Sequence, residues 1–368
     1  MSDRAFASLT PANALAKLAF SEVFDTLTLR RQAEETNDIS TALDRMLVKP
    51  QQRSDSEIVH LLREAERMCD NDAEASESLT EPDTDTEATL QALSMIWVGS
   101  YELSLEPPPE VPERGWSAGK VPVEWGLHAS PGKMPIDLPL CTRSFAKSHN
   151  INLRNPHARF NFFLNNKGFY ISGCSRSPST QLTVNGDGIT RTPYHLNQYE
   201  MKIQFGNLEY WFKWTDFAAT EDFLMARELY VDQVLGLPST TLIDVDMPTP
   251  LPSKRTIGKW TLGKALGKGT TGRVFFASDP AGNSAAIKVV ERTWRNRHTV
   301  AAEIETLQEV TKLSQSSEDG ELVLRMADVI YTNGEEFSST TAFDNVAIVL
   351  VPITPRIFND LIGPSSKR

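Results

Sequence analysis

The sequence has few cysteines, no long apolar stretch and no secretory layout at its N-terminus. The three cysteines, Cys69, Cys141 and Cys174, are widely separated and odd in number. They therefore predict neither a metal-ligand cluster nor a disulfide framework, which suits a reducing compartment. The strongest apolar run, 346–353, is too short to cross a bilayer. Together these absences predict a soluble protein, cytoplasmic or nuclear, with no membrane partner.

Basic charge is also scarce. The 368 residues include 37 Lys and Arg against 48 Asp and Glu, a net charge of −11. Residues 1–94 alone hold 9 basic and 19 acidic residues, whereas 95–257 and 258–368 are close to neutral. No basic stripe is present that would follow a phosphate backbone. The charge distribution therefore predicts no nucleic-acid partner.

The first part of the chain predicts a helical region, 1–69, followed by a linker. Thr10–Pro11 fits the N-cap and first turn of a helix, and apolar residues recur at helical spacing after it. Ser54–Glu57 forms a capping-box pattern before a second apolar stripe. Residues 70–95 hold eight acidic residues, no basic ones and several Ser and Thr, which predicts a disordered linker. The same composition would suit a phosphorylation target, although a solvated spacer is the simpler interpretation.

After this linker the pattern changes to short strand-like runs separated by turn residues. Asn165–Gly168 and Asn185–Gly186 supply the turn chemistry of β-hairpins. Several short strands at this spacing predict an antiparallel β-sandwich over 96–216. The region 217–256 then predicts a helix over Glu221–Val234 and a Pro-rich interdomain linker. The expected strands are Ile96–Leu105, Phe160–Leu164, Phe169–Ser172, Gln181–Val184, Met201–Phe205 and Glu209–Lys213.

The last region, 257–368, contains a glycine-rich run, Leu266–Gly272. Dinucleotide-binding folds use a similar pattern, but there the glycines lead into a helix. Here a strand-like run, Arg273–Ala277, follows, so we expect a hairpin whose backbone is free to lie over a polyphosphate. A further apolar strand carries Lys288, which can reach the same phosphates from the other side. The alternative is a tight hairpin and an ordinary surface lysine.

These features resemble the N-terminal lobe of a eukaryotic-type Ser/Thr protein kinase over about 105 residues. The resemblance implies a five-stranded antiparallel sheet with one helix, and ATP as the bound nucleotide. It also implies an ion pair between Lys288 and Glu303, which lies on the predicted helix Thr299–Val310. Leu350 would lie near the gatekeeper, and Val351–Ile353 would form the hinge that meets the adenine. The implied nucleotide-binding residues are Leu266, Gly267, Gly269, Gly272, Val274, Lys288 and Glu303.

The motifs that complete a kinase are missing from this sequence. After Leu361–Gly363 the sequence has neither a His-Arg-Asp catalytic loop nor an Asp-Phe-Gly metal site. Phosphoryl transfer depends on both, because positioning and metal-borne charge carry the chemistry. We therefore expect no catalytic residue and no kinase activity in this chain, with Mg²⁺ binding only if the missing lobe is supplied. The expected interpretation is a kinase-family chain truncated after its N-terminal lobe.

The middle region, 96–216, resembles a forkhead-associated (FHA) domain, a β-sandwich that reads phosphothreonine through its loops. Lys120 stands where that family usually has Arg, Arg154 where it has Ser, and its peptide-contacting asparagine is lost near Thr180. A β-sandwich with a silent site is therefore the alternative. The resemblance is carried by Trp116–Lys120, Asp137–Leu140, Arg154–Phe160 and Val184–Gly186. The implied phosphopeptide-binding residues are Lys120, Arg154, His157 and Asn185, with His157 bracing the loops.

The sequence thus predicts a multidomain α+β protein with a helical N-terminal region, an FHA-like sandwich and a kinase-like nucleotide lobe. The leading hypothesis is an ATP-binding protein of the Ser/Thr protein kinase family. The alternative hypothesis is a non-catalytic adaptor that binds phosphothreonine-containing proteins through the middle domain.

Overall fold

The computed structural model shows a mixed α+β protein with several antiparallel sheets and a few helices. The chain divides into two compact units. The first contains Met1–Phe162, Phe169–Tyr194 and Tyr199–Leu237, and the second contains Phe163–Gly168, His195–Gln198 and Pro238–Arg368. The residues that the structure describes are 4–33, 37–69, 95–121, 136–164, 167–175, 181–236, 255–269, 272–315, 324–334 and 343–351.

Two sheets dominate the first unit. Their strands are β1 (Ala5–Pro11), β2 (Met46–Gln52), β3 (Met95–Ser104), β4 (Trp116–Lys120), β5 (Leu138–Cys141), β6 (Ala158–Phe162), β7 (Phe169–Gly173), β8 (Leu182–Val184), β9 (Asp187–Gly188), β10 (Tyr194–His195), β11 (Glu200–Phe205) and β12 (Leu208–Trp214). One sheet has the order β2-β3-β1-β12-β11-β8-β9, and the other has the order β10-β7-β6-β4-β5. Most pairs are antiparallel, as the sequence predicts, but β4 and β5 run parallel.

An aromatic core joins these two sheets. The fully buried ring of Phe6 in β1 lies 5.1–5.7 Å, between centroids, from Trp116, Phe162 and Phe169 of the other sheet. Aromatic pairs at this spacing and tilt bury large apolar areas. Every second residue of β12 is buried, and this alternation is the signal from which the sequence predicts the strand. The choice of residues that enter the core therefore follows from strand periodicity.

The N-terminal region differs from its prediction. The sequence predicts 1–69 as helical, but β1 and β2 also lie there. Thr10–Pro11, predicted as a helix start, is the end of β1, and Asn13 instead caps the helix by accepting the Ala16 N–H at 2.9 Å. Because β1 pairs with both β3 and β12, long-range pairing outweighs the local capping signal. Among the described residues up to 148, the α-helices are α1 (Ala14–Ala33), α2 (Asn37–Asp44), α3 (Asp55–Cys69) and α4 (Arg143–Ser148).

The helix predicted over Glu221–Val234 packs into the core of the first unit. It consists of α5 (Glu221–Leu229) and one π-helical turn, Tyr230–Val234. Phe223 is fully buried, with its ring centroid 5.2 Å from that of Phe6. The core of the sandwich therefore extends beyond its predicted end at residue 216. The two predicted linkers, in 70–95 and around Met247–Pro252, lie outside the described residues, apart from Met95 in β3.

The second unit is built on a sheet with the strand order β13-β14-β15-β16-β18-β17. Its strands are β13 (Thr256–Ile257), β14 (Trp260–Lys268), β15 (Arg273–Ser278), β16 (Ser284–Thr293), β17 (Arg325–Tyr331) and β18 (Phe343–Val351), with the helix α6 (Arg297–Gln315) between β16 and β17. The sequence predicts five strands, and the additional one is β13, which pairs with β14 through two residues. A run of two residues carries no periodic signal, so the sequence could not predict it.

Apolar clusters cover both faces of this sheet. Ile287 and Val349 belong to one cluster, whereas Val290 and Ile348 belong to the other together with Ile304 of α6. Side chains alternate along a strand, so α6 packs on the Val290 face. No helix in the described stretches carries an apolar segment long enough to cross a membrane.

Candidate functional site

The glycine-rich run forms a hairpin between β14 and β15. Lys268 and Arg273 are opposite each other at its tip, and the Gly269 N–H donates to the Gly272 carbonyl oxygen at 2.9 Å. Leu266 lies at a β-bulge, where half of its surface is exposed. The run leads from one strand into another, as the sequence predicts, whereas in a dinucleotide-binding fold it would lead into a helix.

The three glycines of the hairpin differ in what packing demands of them. A Cβ atom on Gly272 would lie 2.4 Å from the Val289 carbonyl oxygen, so only glycine fits beside β16. Among the described residues, a Cβ on Gly267 would meet nothing within 4 Å, and one on Gly269 only the Gly272 oxygen at 3.9 Å. Neither has the positive φ that favours glycine. Folding therefore explains why residue 272 is a glycine, but it does not explain the glycines at 267 and 269.

Lys288 lies on β16, opposite Val274 on one side and Ile348 on the other. Its ammonium group forms an ion pair with the Glu303 carboxylate of α6, as the sequence predicts. The side chains of Lys288 and Glu303 are 19% and 31% exposed, so the pair is shielded yet reachable from solvent. Ile304, the neighbour of Glu303, packs into the core and thereby fixes this side of α6 against the sheet.

An apolar row crosses three strands beside this ion pair. Phe276, Ala286 and Leu350 are directly opposite one another on β15, β16 and β18, and they share the face of Lys288. Neither Phe276 nor Ala286 is among the site residues that the sequence predicts. The signal that identifies Ala286 is strand alternation, because it lies two residues before Lys288. Of the predicted hinge Val351–Ile353, the structure describes Val351 alone.

A second group of predicted residues meets in the first unit. The Lys120 N–H donates to the Arg154 carbonyl oxygen at 3.1 Å, and the Arg154 N–H donates to Nδ1 of His157 at 3.2 Å. The His157 N–H in turn donates to the Ala118 carbonyl oxygen at 2.8 Å. His157 is buried, whereas Arg154 is exposed and Lys120 is partly exposed. Main-chain hydrogen bonds therefore hold two cationic residues next to a buried imidazole.

The pKa of His157 is lowered to about 4, mainly by burial and in smaller part by the positive charges of Arg154 and Lys120. The imidazole is therefore neutral near pH 7, which leaves Nδ1 able to accept the Arg154 hydrogen bond.

Asn185, the fourth residue predicted for this group, has a folding role. It lies in the turn between β8 and β9 with φ of 52°, in the left-handed region that Asn tolerates. Its N–H donates to the Lys202 carbonyl oxygen at 2.8 Å, and its side-chain oxygen accepts the Lys202 N–H at 2.9 Å. Thr180, near which the sequence lacks the family's asparagine, lies outside the described residues.

Across the described ranges, no group of three or more His, Cys, Asp and Glu side chains is placed to hold a metal ion. Comparison of the chain with models of protein families and with curated proteins found no match.

Proposed function

We propose that the second unit binds ATP in the manner of the N-terminal lobe of a Ser/Thr protein kinase. The observation that carries this proposal is the Lys288–Glu303 ion pair beside a glycine hairpin. Packing does not require glycine at 267 and 269, and a bare backbone there would let a polyphosphate approach closely. In kinase lobes a lysine held by a helical carboxylate contacts the α- and β-phosphates.

The surroundings of Lys288 suit a nucleotide. Ala286 and Leu350 are partly exposed and offer an apolar surface for a base, on the face that also carries the ammonium group. Nucleotide sites commonly combine such an apolar lining with a few charged groups. Glu303 restricts where the flexible lysine side chain can lie, so less conformational entropy is lost on binding.

Calorimetric titration of the full chain with ATP in the presence of Mg²⁺ tests the proposal. We expect Lys288→Ala to weaken binding by roughly tenfold to a hundredfold, because a hydrogen bond to a charged group is lost. Lys259→Ala is the matched control, since Lys259 forms an ion pair with Asp279 at 3.1 Å in the same unit. The proposal fails if the wild-type chain does not bind millimolar nucleotide, or if Lys288→Ala binds as tightly as wild type.

The first unit favours a second candidate function, the binding of phosphothreonine peptides by an FHA-like adaptor. The observation behind it is that main-chain groups link Lys120 to Arg154, and Arg154 to the neutral imidazole of His157, through hydrogen bonds. Two adjacent cations can share one phosphate through charge-assisted hydrogen bonds. Asn185 is not needed in this proposal, because its polar groups bind Lys202.

Titration with a phosphothreonine peptide library, and with the same peptides unphosphorylated, tests this second function. Lys120→Ala and Arg154→Ala are each expected to weaken phosphopeptide binding by roughly tenfold. Arg143→Ala is the matched control, because Arg143 is another exposed arginine of the same unit. Equal binding of phosphorylated and unphosphorylated peptides would exclude the adaptor function.

A further inference from the structure

The segment that carries the glycine hairpin is positively charged throughout. Six Lys and Arg residues and no Asp or Glu occur from Lys254 to Ser278, in a chain whose net charge is −11. At one end of the hairpin, Lys259 is neutralised by Asp279 at 3.1 Å. At the other end, Lys268 and Arg273 are both exposed. The tip of the hairpin therefore presents two positive charges to solvent.

Folding does not explain the charges at the tip. Lys268 and Arg273 are directly opposite each other on β14 and β15. Like charges in this arrangement repel and destabilise a hairpin. A pair that costs stability indicates a role outside the fold.

The proposed nucleotide site does not explain them either. Arg273 is opposite Val289 on β16, whereas Lys288 is opposite Val274. Residues directly opposite one another share a face, and successive residues alternate between faces. Lys268 and Arg273 therefore lie on the face of the sheet opposite the one that carries Lys288 and α6.

We propose that Lys268 and Arg273 form a docking surface for an acidic peptide segment of a partner protein. Carboxylates at every second position of an extended peptide lie on one side of it, and two cations on neighbouring strands can contact them together. A short peptide meets only this local positive charge. A nucleic acid or an anionic membrane would also meet the negative charge of the whole chain, which disfavours both.

Fluorescence polarisation of a labelled Glu-Ser repeat octapeptide against the full chain tests the proposal, with a Gln-Ser repeat octapeptide as the uncharged control. We expect only the acidic peptide to bind, and its binding to weaken as salt screens the charges. Lys268→Gln and Arg273→Gln should each weaken binding about twofold to fivefold, and the double variant about tenfold. The double variant should be at least as stable as wild type, because the repulsive pair is gone.

Two further variants separate this surface from the nucleotide site. Lys288→Ala should keep peptide binding, and the Lys268→Gln, Arg273→Gln double variant should keep ATP binding. Each proposal can therefore fail while the other holds. Arg255→Gln removes an exposed charge just before β13, which pairs with the end of β14 far from the tip, and should have no effect on the peptide. The inference is overturned if the acidic peptide does not bind at low salt, or if Arg255→Gln weakens binding as much as the double variant. Tighter binding of single-stranded DNA or of phosphatidylserine vesicles through the same two residues would also overturn it.

Discussion

The two candidate sites are assembled in different ways. In the first unit, main-chain hydrogen bonds bring Lys120, Arg154 and His157 together, and the same bonds hold the loops of the sandwich. In the second unit, Lys288 meets a helical carboxylate through side chains, beside Gly267, which packing does not require. A feature that folding already explains says little about function. The second unit therefore carries the stronger functional argument.

The largest expected loss of stability comes from breaking a structural ion pair, and it distinguishes that pair from the proposed nucleotide-binding pair. Arg292 and Asp344 form a buried bidentate pair at 2.9 and 2.6 Å, with side chains 7% and 3% exposed. Asp344→Ala should lower the free energy of unfolding by about 3–5 kcal/mol, because it leaves a buried charge without its partner.

Glu303→Gln should lower the free energy of unfolding by about 1 kcal/mol or less, because the Lys288–Glu303 pair is partly exposed. Urea unfolding of both variants at constant pH measures the difference. If Glu303→Gln destabilised the protein as much as Asp344→Ala, the Lys288 pair would have a structural role.

His157 in the first unit is expected to change the free energy of unfolding by about 3 kcal/mol between high and low pH. The pKa of its imidazole is about 4 in the folded protein against an ordinary value of 6.5, so the unfolded chain binds a proton between these values. Its contribution to stability is therefore complete above about pH 6.5 and is lost as the pH falls toward 4. His157→Gln should flatten this part of the profile of urea midpoints. An unchanged profile would contradict a buried neutral imidazole.

Two glycine substitutions test what the hairpin requires for folding. Gly272→Ala should lower the free energy of unfolding by about 1–3 kcal/mol, because its Cβ would overlap the Val289 carbonyl oxygen. Gly267→Ala should leave stability unchanged or slightly raised, since its Cβ meets open space. Thermal unfolding in the absence of nucleotide measures both. Equal losses would show that folding demands glycine at both positions.

The smallest expected effect concerns the exposed cations of the first unit. Lys120→Ala and Arg154→Ala should each change the free energy of unfolding by about 0.5 kcal/mol or less, because the hydrogen bonds that position them come from the main chain. Chemical denaturation compared with Arg143→Ala measures this. A loss as large as that expected for Gly272→Ala would show that their side chains brace the sandwich.

Local sequence patterns, such as strand alternation and turn residues, predicted the elements that depend on only a few neighbouring residues. Alternation identified β12, and the Asn185–Gly186 turn has the left-handed backbone that its sequence indicates. The helix start predicted at Thr10–Pro11 is wrong, because the same residues suit a helix start and a strand end. The sequence places Phe223 outside the sandwich, since nothing nearby in sequence shows that its ring meets Phe6.

For the candidate nucleotide site, the sequence alone determined the glycine spacing, the lysine-bearing strand and the carboxylate-bearing helix. These are local features, because each depends on residue type and short periodicity. Only the tertiary structure decided that Lys268 and Arg273 lie on the face opposite Lys288, and that β1 enters the sheet of the first unit. Register and strand order depend on contacts between residues far apart in the chain, and no local pattern specifies those contacts.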